Sequence, residues 1–75
     1  MKPSLTEGRR KRLQQDWTKA AGEYVELEKR ERKLLGYCSQ IGCQRLLNYY
    51  HNSPKVSMHY SVSRESWCVS LEVSF

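Results

Sequence analysis

The C-terminal part of the chain alternates between apolar and polar side chains with the period of two that is typical of β-strands. Two alternating runs flank the short sequence SRES. Pairing Val62 with Trp67 places every large apolar residue of both runs on one face. We therefore predict an antiparallel β-hairpin over residues 55–75, closed either by a tight turn at Arg64 and Glu65 or by a four-residue loop.

The first half of the chain has apolar residues at steps of three and four instead, which is the period of an amphipathic helix. The stripe consists of Leu13, Trp17, Ala20, Tyr24, Leu27, Leu34, Cys38 and Ile41. Ser4 and Glu7 have the S-x-x-E spacing of a capping box, and Gly36 follows a basic turn, as a C-terminal cap does. We predict a long N-terminal helix over residues 4–35, with the run EKRERK as its solvated face.

A shorter apolar pattern follows Gly36 and predicts a second helix over residues 39–51. Pro54 limits that helix, because the residue before a proline disfavours helical geometry. The alternative is one uninterrupted helix through Gly36 and Gly42, at a cost of about 1 kcal/mol for each glycine relative to alanine. The fold class predicted is α+β, with a long amphipathic helix, a short helix and a β-hairpin in a single small domain over residues 1–75.

A two-stranded hairpin is marginally stable alone, and both predicted strands carry little charge and no internal proline. Pairing with a second copy gives a four-stranded sheet with the helices on one side, so we predict a homodimer. The alternative is a protein partner that docks on the hairpin edge or on its Ser-rich face. The residues predicted for this partner or dimer surface are Ser57, His59, Ser61, Ser70, Glu72 and Ser74.

The charge of the chain is positive and unevenly distributed. It has 13 Lys and Arg residues against 8 Asp and Glu residues, for a net charge of +5. Four adjacent cations precede the apolar stripe, at the end of a helix that we expect to extend beyond the sheet. Such a cluster attracts phosphates, although a merely solubilising surface is the alternative. The predicted nucleic-acid-binding residues are Arg9, Arg10, Lys11, Arg12 and Lys19.

The sequence predicts neither catalysis nor a cofactor or metal site. Asp16 is the single aspartate, and the four glycines are too dispersed for a phosphate-binding loop. Cys38 and Cys43 are five residues apart, which on one helix directs their thiols roughly 140° apart, and the chain has no C-x-x-C pair. Cys68 and His59 share the polar face of the hairpin as diagonal neighbours, without a third group to orient a nucleophile.

The chain contains no apolar run near the ~20 residues of a membrane-spanning helix and no signal-like segment after its first residues. We therefore expect a cytoplasmic protein, or a nuclear one in a eukaryote. Trp17 and Trp67 are assigned to the core, and Tyr49 and Tyr50 favour the core over base stacking. The function predicted is a small nucleic-acid-binding accessory or regulatory protein, with a protein-interaction module such as an inhibitor or adaptor as the alternative.

Overall fold

The computed structural model describes residues 7–73. They form helix α1 (Glu7–Ala21), strands β1 (Glu26–Arg30) and β2 (Lys33–Cys38), helix α2 (Gln40–Tyr49), and strands β3 (Val56–Ser61) and β4 (Ser66–Glu72). The strands make one antiparallel four-stranded sheet in the order β1-β2-β4-β3, which confirms the α+β class. Strands β2 and β3 consequently run parallel, with β4 between them, and α2 connects the two.

The predicted helix over residues 4–35 is wrong beyond Ala21. Gly22 has a φ of 75°, and its amide donates hydrogen bonds of 3.0 and 3.3 Å to carbonyls of the preceding turn. Helix α1 thus ends in the left-handed glycine cap that is common at helix C-termini. It has 15 residues and is about 22 Å long, half the predicted length. The capping box predicted at Ser4 lies outside the described residues.

A β-hairpin occupies the segment after α1, where the helical stripe was predicted to continue. Val25 and Leu27 are fully buried, whereas Glu28, on the other face of β1, is only half-buried. The hairpin closes through a two-residue turn in which Arg32 has a φ of 57°. The run EKRERK was predicted as the solvated face of a helix, but it lies in this hairpin, where the Arg30 Nε donates to the Glu28 Oε1 at 2.6 Å along one strand.

A single chain supplies all four strands of the sheet that was predicted for a dimer. Strand β2 pairs with β4, for example at Leu34 with Leu71, and so covers the β4 edge that was expected to be open. The two outer strands are β1 and β3.

The predicted C-terminal hairpin is confirmed, but its register differs by two residues. Tyr60 rather than Val62 lies opposite Trp67, and the loop has four residues, Val62 to Glu65. Because the shift is an even number, Val56, Met58, Val69 and Leu71 keep the predicted face and belong to the core or pack against it, whereas Val62 lies in the loop and is 80% exposed.

The core lies between the two helices and one face of the sheet. It consists of Trp17, Ala21, Val25, Leu27, Leu34, Cys43, Leu46, Val56 and Val69. Gly36, predicted as a helix cap, lies within β2 instead, and a Cβ atom there would be 2.5 Å from the Trp17 ring. The indole Nε1 of Trp17 donates to the Tyr50 Oη at 2.8 Å, so the polar atom of this buried ring is bonded.

The second helix begins after Ser39, close to its predicted bounds. The Ser39 Oγ accepts a hydrogen bond of 3.1 Å from an amide in the first turn of α2, as an N-cap does. Glu23, between α1 and β1, accepts from the Ser39 amide at 2.7 Å and from its hydroxyl at 2.6 Å. The hydroxyl and amide of Ser39 hold the pKa of Glu23 below its usual value.

A second polar contact joins the two helices. Arg45 on α2 donates a hydrogen bond of 3.2 Å to the carbonyl of Ala21 at the end of α1.

Candidate nucleic-acid interface

The side of α1 that points away from the core carries three exposed cations. Lys11, Gln15 and Lys19 follow each other at intervals of four residues, so they form one line along the helix. The two lysines are about 12 Å apart along the helix axis. Arg12 is exposed next to this line. We call Lys11, Arg12, Gln15 and Lys19 the basic face.

Arg10 has a structural role in addition to its charge. Its guanidinium donates a hydrogen bond of 2.9 Å to the carbonyl of Leu27 on the outer strand β1. A cation bonded to the strand in this way hinders further pairing at that edge. The predicted helix overhang is therefore wrong, because the turn that carries Arg10 lies against the sheet. Arg9 is exposed on the same helix.

An open groove of about 630 Å³ lies beside the basic face. It is lined by Lys11, Gln14, Gln15, Asp16, Thr18, Lys19 and Tyr24. The Gln14 Nε2 donates to the Tyr24 Oη at 3.1 Å, and the amide of Val25 donates to the Thr18 Oγ1 at 3.3 Å. These bonds hold the phenol alongside α1. Tyr24 is nevertheless 66% exposed, so its assignment to the buried stripe of a helix was wrong.

The Ser-rich face of the sheet lies opposite the helices, on β3 and β4. The described members of the predicted partner surface are Ser57, His59, Ser61, Ser70 and Glu72, all on these two strands. The hydroxyls of Ser57 and Ser70 are 2.8 Å apart across the strands, and His59 is exposed. Ser74 lies outside the described residues. The structure thus places this predicted set on one surface without showing what contacts it.

The remainder of that face carries a charged cluster that the sequence did not reveal. Arg64, in the loop before β4, lies 4.2 Å from the centroid of the Tyr37 ring. It also pairs with Glu26 at 2.8 Å and with Glu28 at 3.3 Å, and these carboxylates raise its pKa. Tyr37 is only 9% exposed although it lies on the face of the sheet opposite helices α1 and α2. Arg64 therefore covers Tyr37 at this end of the sheet. The contact forms only because β2 pairs with β4, so the spacing of residues in the sequence did not reveal it.

The three cysteines lie closer to one another or to His59 than the sequence predicted. Cys38 ends β2 and Cys43 lies in α2, so their sulfur atoms are 3.4 Å apart instead of divergent. Burial raises the pKa of both thiols and keeps them protonated, which weakens them as ligands and nucleophiles. Cys68 lies directly opposite His59, not diagonally, but it is 1% exposed and burial raises the pKa of its thiol as well. Within residues 7–73, no group of three or more His, Cys, Asp or Glu side chains has a metal-binding arrangement.

Neither helix between residues 7 and 73 combines the length and apolar composition needed to cross a bilayer. Comparisons with protein-family models, with curated proteins and with solved structures found no match to this chain.

Proposed function

We propose that this chain is a small, non-enzymatic nucleic-acid-binding protein that contacts phosphates through the basic face of α1. The observation that supports the proposal is the distribution of its cations. Lys11, Arg12 and Lys19 are exposed on the side of α1 remote from the core, whereas Arg10 and Arg64 are bonded to other parts of the chain. Helix α1 carries five cations and two acids, which gives it a net charge of +3.

Nucleic acid is the partner that suits this distribution. Exposed lysines and arginines in one region attract a polyanion, and each phosphate that they neutralise releases condensed counterions. The logarithm of the binding constant therefore falls linearly with the logarithm of the salt concentration, and the slope reports the number of phosphate contacts. The hydrogen-bonding amide of Gln15 lies between the two lysines and adds a group that suits sugar and phosphate oxygens.

A charge-matched pair of triple variants tests the proposal. The first combines Lys11→Gln, Arg12→Gln and Lys19→Gln, and leaves the bonded Arg10 in place. The control combines Arg32→Gln, Lys33→Gln and Lys55→Gln, three exposed cations at other places on the surface. Both lose the same net charge. We measure binding to short labelled duplexes and single strands by fluorescence anisotropy at several salt concentrations.

We expect the basic-face variant to lose at least about tenfold in affinity near 0.15 M salt and its salt slope to fall by about two to three. The control should retain most of its affinity and slope. Equal losses in both variants would mean that only the overall charge of the protein matters, and this would overturn the proposal. Circular dichroism and thermal midpoints check that both variants keep the fold.

We also propose that the chain associates with itself through the outer strand β3. Its sequence VSMHYS has no acidic residue, lysine or arginine, whereas the opposite edge is covered at Leu27 by the Arg10 guanidinium. Outer strands without such protection are the ones that pair with another chain. A symmetric dimer would present the basic face twice, which raises avidity without new contacts.

Light scattering tests the dimer, because one chain has a mass of 8.9 kDa and a dimer has twice that mass. The substitution His59→Lys places like charges across the two-fold axis and should shift the protein to the monomer. Ser63→Lys, in the adjoining loop, is the matched control. A wild-type protein that remains at the monomer mass throughout the concentration range of the binding experiments would exclude self-association. The β3 edge would then be assigned to a different protein.

A further inference from the structure

We propose that the groove beside the basic face binds an unpaired base of single-stranded nucleic acid, stacked on the ring of Tyr24. This inference rests on the proposed function and adds the class of substrate and the residue that selects it. Tyr24 is the most exposed tyrosine or tryptophan among residues 7–73, at 66%. The groove places it beside Lys11 and Lys19, the two cations of the basic face that line the same space.

The phenol of Tyr24 is held in position before any ligand arrives. Its Oη accepts a hydrogen bond from Gln14 on α1, and the next amide, of Val25, is bonded to Thr18 one turn further along the helix. Gly22 ends the helix just before, so the chain turns and directs the ring back along α1. A ring that is held in place and still two-thirds exposed loses little conformational entropy when a flat group stacks on it.

The neighbours of the ring suit a nucleotide better than an apolar ligand. Single-stranded nucleic acids are bound by aromatic rings that stack on bases within positively charged grooves. Lys11 and Lys19 lie on the groove wall within reach of the phosphates on either side of a stacked base. Gln15 and Asp16, also in the wall, offer a donor and acceptors for the edge of the base. Asp16 is the single acid among these lining residues, so the groove retains a net positive charge.

The same geometry distinguishes single strands from duplexes. In a duplex both faces of each base are covered by its neighbours in the stack, so a tyrosine on the protein surface has no base face to contact. Unpaired bases in single strands, loops and bulges leave those faces available. The lysines contact phosphates in either case. Tyr24 should therefore contribute to single-strand binding only, whereas the basic face contributes to both.

The test compares Tyr24→Ala and Tyr24→Phe with Tyr49→Ala, which removes a tyrosine on α2 that is 56% exposed and does not line the groove. Each protein is titrated into a labelled 12-nucleotide oligo(dT), the matching oligo(rU), and a 12-base-pair duplex. The titrations are repeated at several salt concentrations. Thermal midpoints show whether each variant retains the wild-type fold.

We expect Tyr24→Ala to weaken single-strand binding by about five- to 150-fold, the range measured for one stacked base, with an unchanged salt slope and unchanged duplex binding. Tyr24→Phe keeps the stacking ring and should stay within about threefold of wild type. Tyr49→Ala should match wild type on every substrate.

Two results would overturn the inference and leave the proposed function intact. One is single-strand affinity that Tyr24→Ala does not change. The other is an equal loss on single strands and duplex, which would show that Tyr24 only supports the shape of the basic face. A wild-type protein that binds none of the three probes would overturn the proposed function and this inference together.

Discussion

The indole ring of Trp17 lies directly on the backbone of Gly36, with no space for a methyl group between them. A Cβ atom at Gly36 would be 2.5 Å from two ring atoms of Trp17 and 2.9 Å from the Val25 side chain. Trp17 is fully buried and cannot move into solvent. The absence of a side chain at Gly36 in β2 therefore lets the ring of Trp17 on the helix layer contact the sheet directly.

This contact predicts that Gly36→Ala destabilises the protein by about 1–3 kcal/mol, because the added methyl group forces a buried ring out of place. The matched control is Gly8→Ala on α1, where a Cβ atom would have no neighbour within 4 Å. That variant should be as stable as wild type or slightly more stable, since alanine favours helix. Urea unfolding followed by Trp fluorescence measures both. Equal midpoints for the two variants would contradict the packing of Trp17 on Gly36.

The partly buried hydrogen bond between Trp17 and Tyr50 leads to a second prediction. Tyr50→Phe removes the acceptor of the indole N–H and leaves that donor without a partner, at a cost of about 1–3 kcal/mol in the free energy of unfolding. Tyr49→Phe, the neighbouring and more exposed tyrosine, should change stability by less than about 0.5 kcal/mol. Chemical denaturation of both variants measures the difference. If Tyr50→Phe unfolded at the wild-type midpoint, the indole would have to find water or another acceptor.

The α+β class and the C-terminal hairpin were predictable, but the β1–β2 hairpin was not, for a geometric reason. Leu27 and Leu34 are seven residues apart, which places them on one face of a helix. The same separation also suits a hairpin with a two-residue loop. Residues paired across such a loop have numbers that differ by an odd number, and side chains alternate along each strand, so Leu27 and Leu34 share one face. The turn contains no Gly or Asn to favour the second possibility.

Of the candidate site, only the positively charged residues could be predicted from the sequence. Lys11 and Arg12 belong to a cationic segment that is visible in the sequence, Lys19 follows about two turns later, and all three are exposed in the structure. The role proposed for Tyr24 depends on the end of α1 at Ala21, since one further helical turn would have returned its ring to the buried stripe. Arg10 was included for its charge, although its bond to the sheet edge exists only once β1 has formed.

The Arg64 cluster predicts a stabilisation that depends on salt. Arg64→Gln removes two ion pairs and the contact with the Tyr37 ring, so the urea midpoint should fall. The difference from wild type should become smaller in 1 M NaCl, where the screening length is about 3 Å. Arg30→Gln, which removes one exposed pair to Glu28, is the control and should have a smaller effect. An equal effect of the two substitutions would mean that Arg64 does not stabilise the open face of the sheet.

The bond between Glu23 and Ser39 predicts how stability depends on pH. The hydroxyl and amide of Ser39 lower the pKa of Glu23 in the folded chain, below its value of about 4.3 in the unfolded chain. The unfolded state therefore binds the proton more tightly, and acid favours unfolding. The contribution of Glu23 is complete above the unfolded value. It decreases as the pH falls below that value and is lost once the pH passes below the folded pKa.

A double-mutant cycle measures this contribution directly. Glu23→Gln and Ser39→Ala, alone and together, are unfolded in urea at pH 7 and at pH 3. At pH 7 we expect a favourable coupling, because the carboxylate accepts two hydrogen bonds from Ser39, one of them from its hydroxyl. At pH 3 the coupling should be smaller, and Glu23→Gln should approach the stability of wild type. Ser39→Ala should still cost about 1 kcal/mol at both pH values, because its hydroxyl also caps α2. A coupling of the same size at both pH values would show that the ionised carboxylate does not stabilise the start of α2.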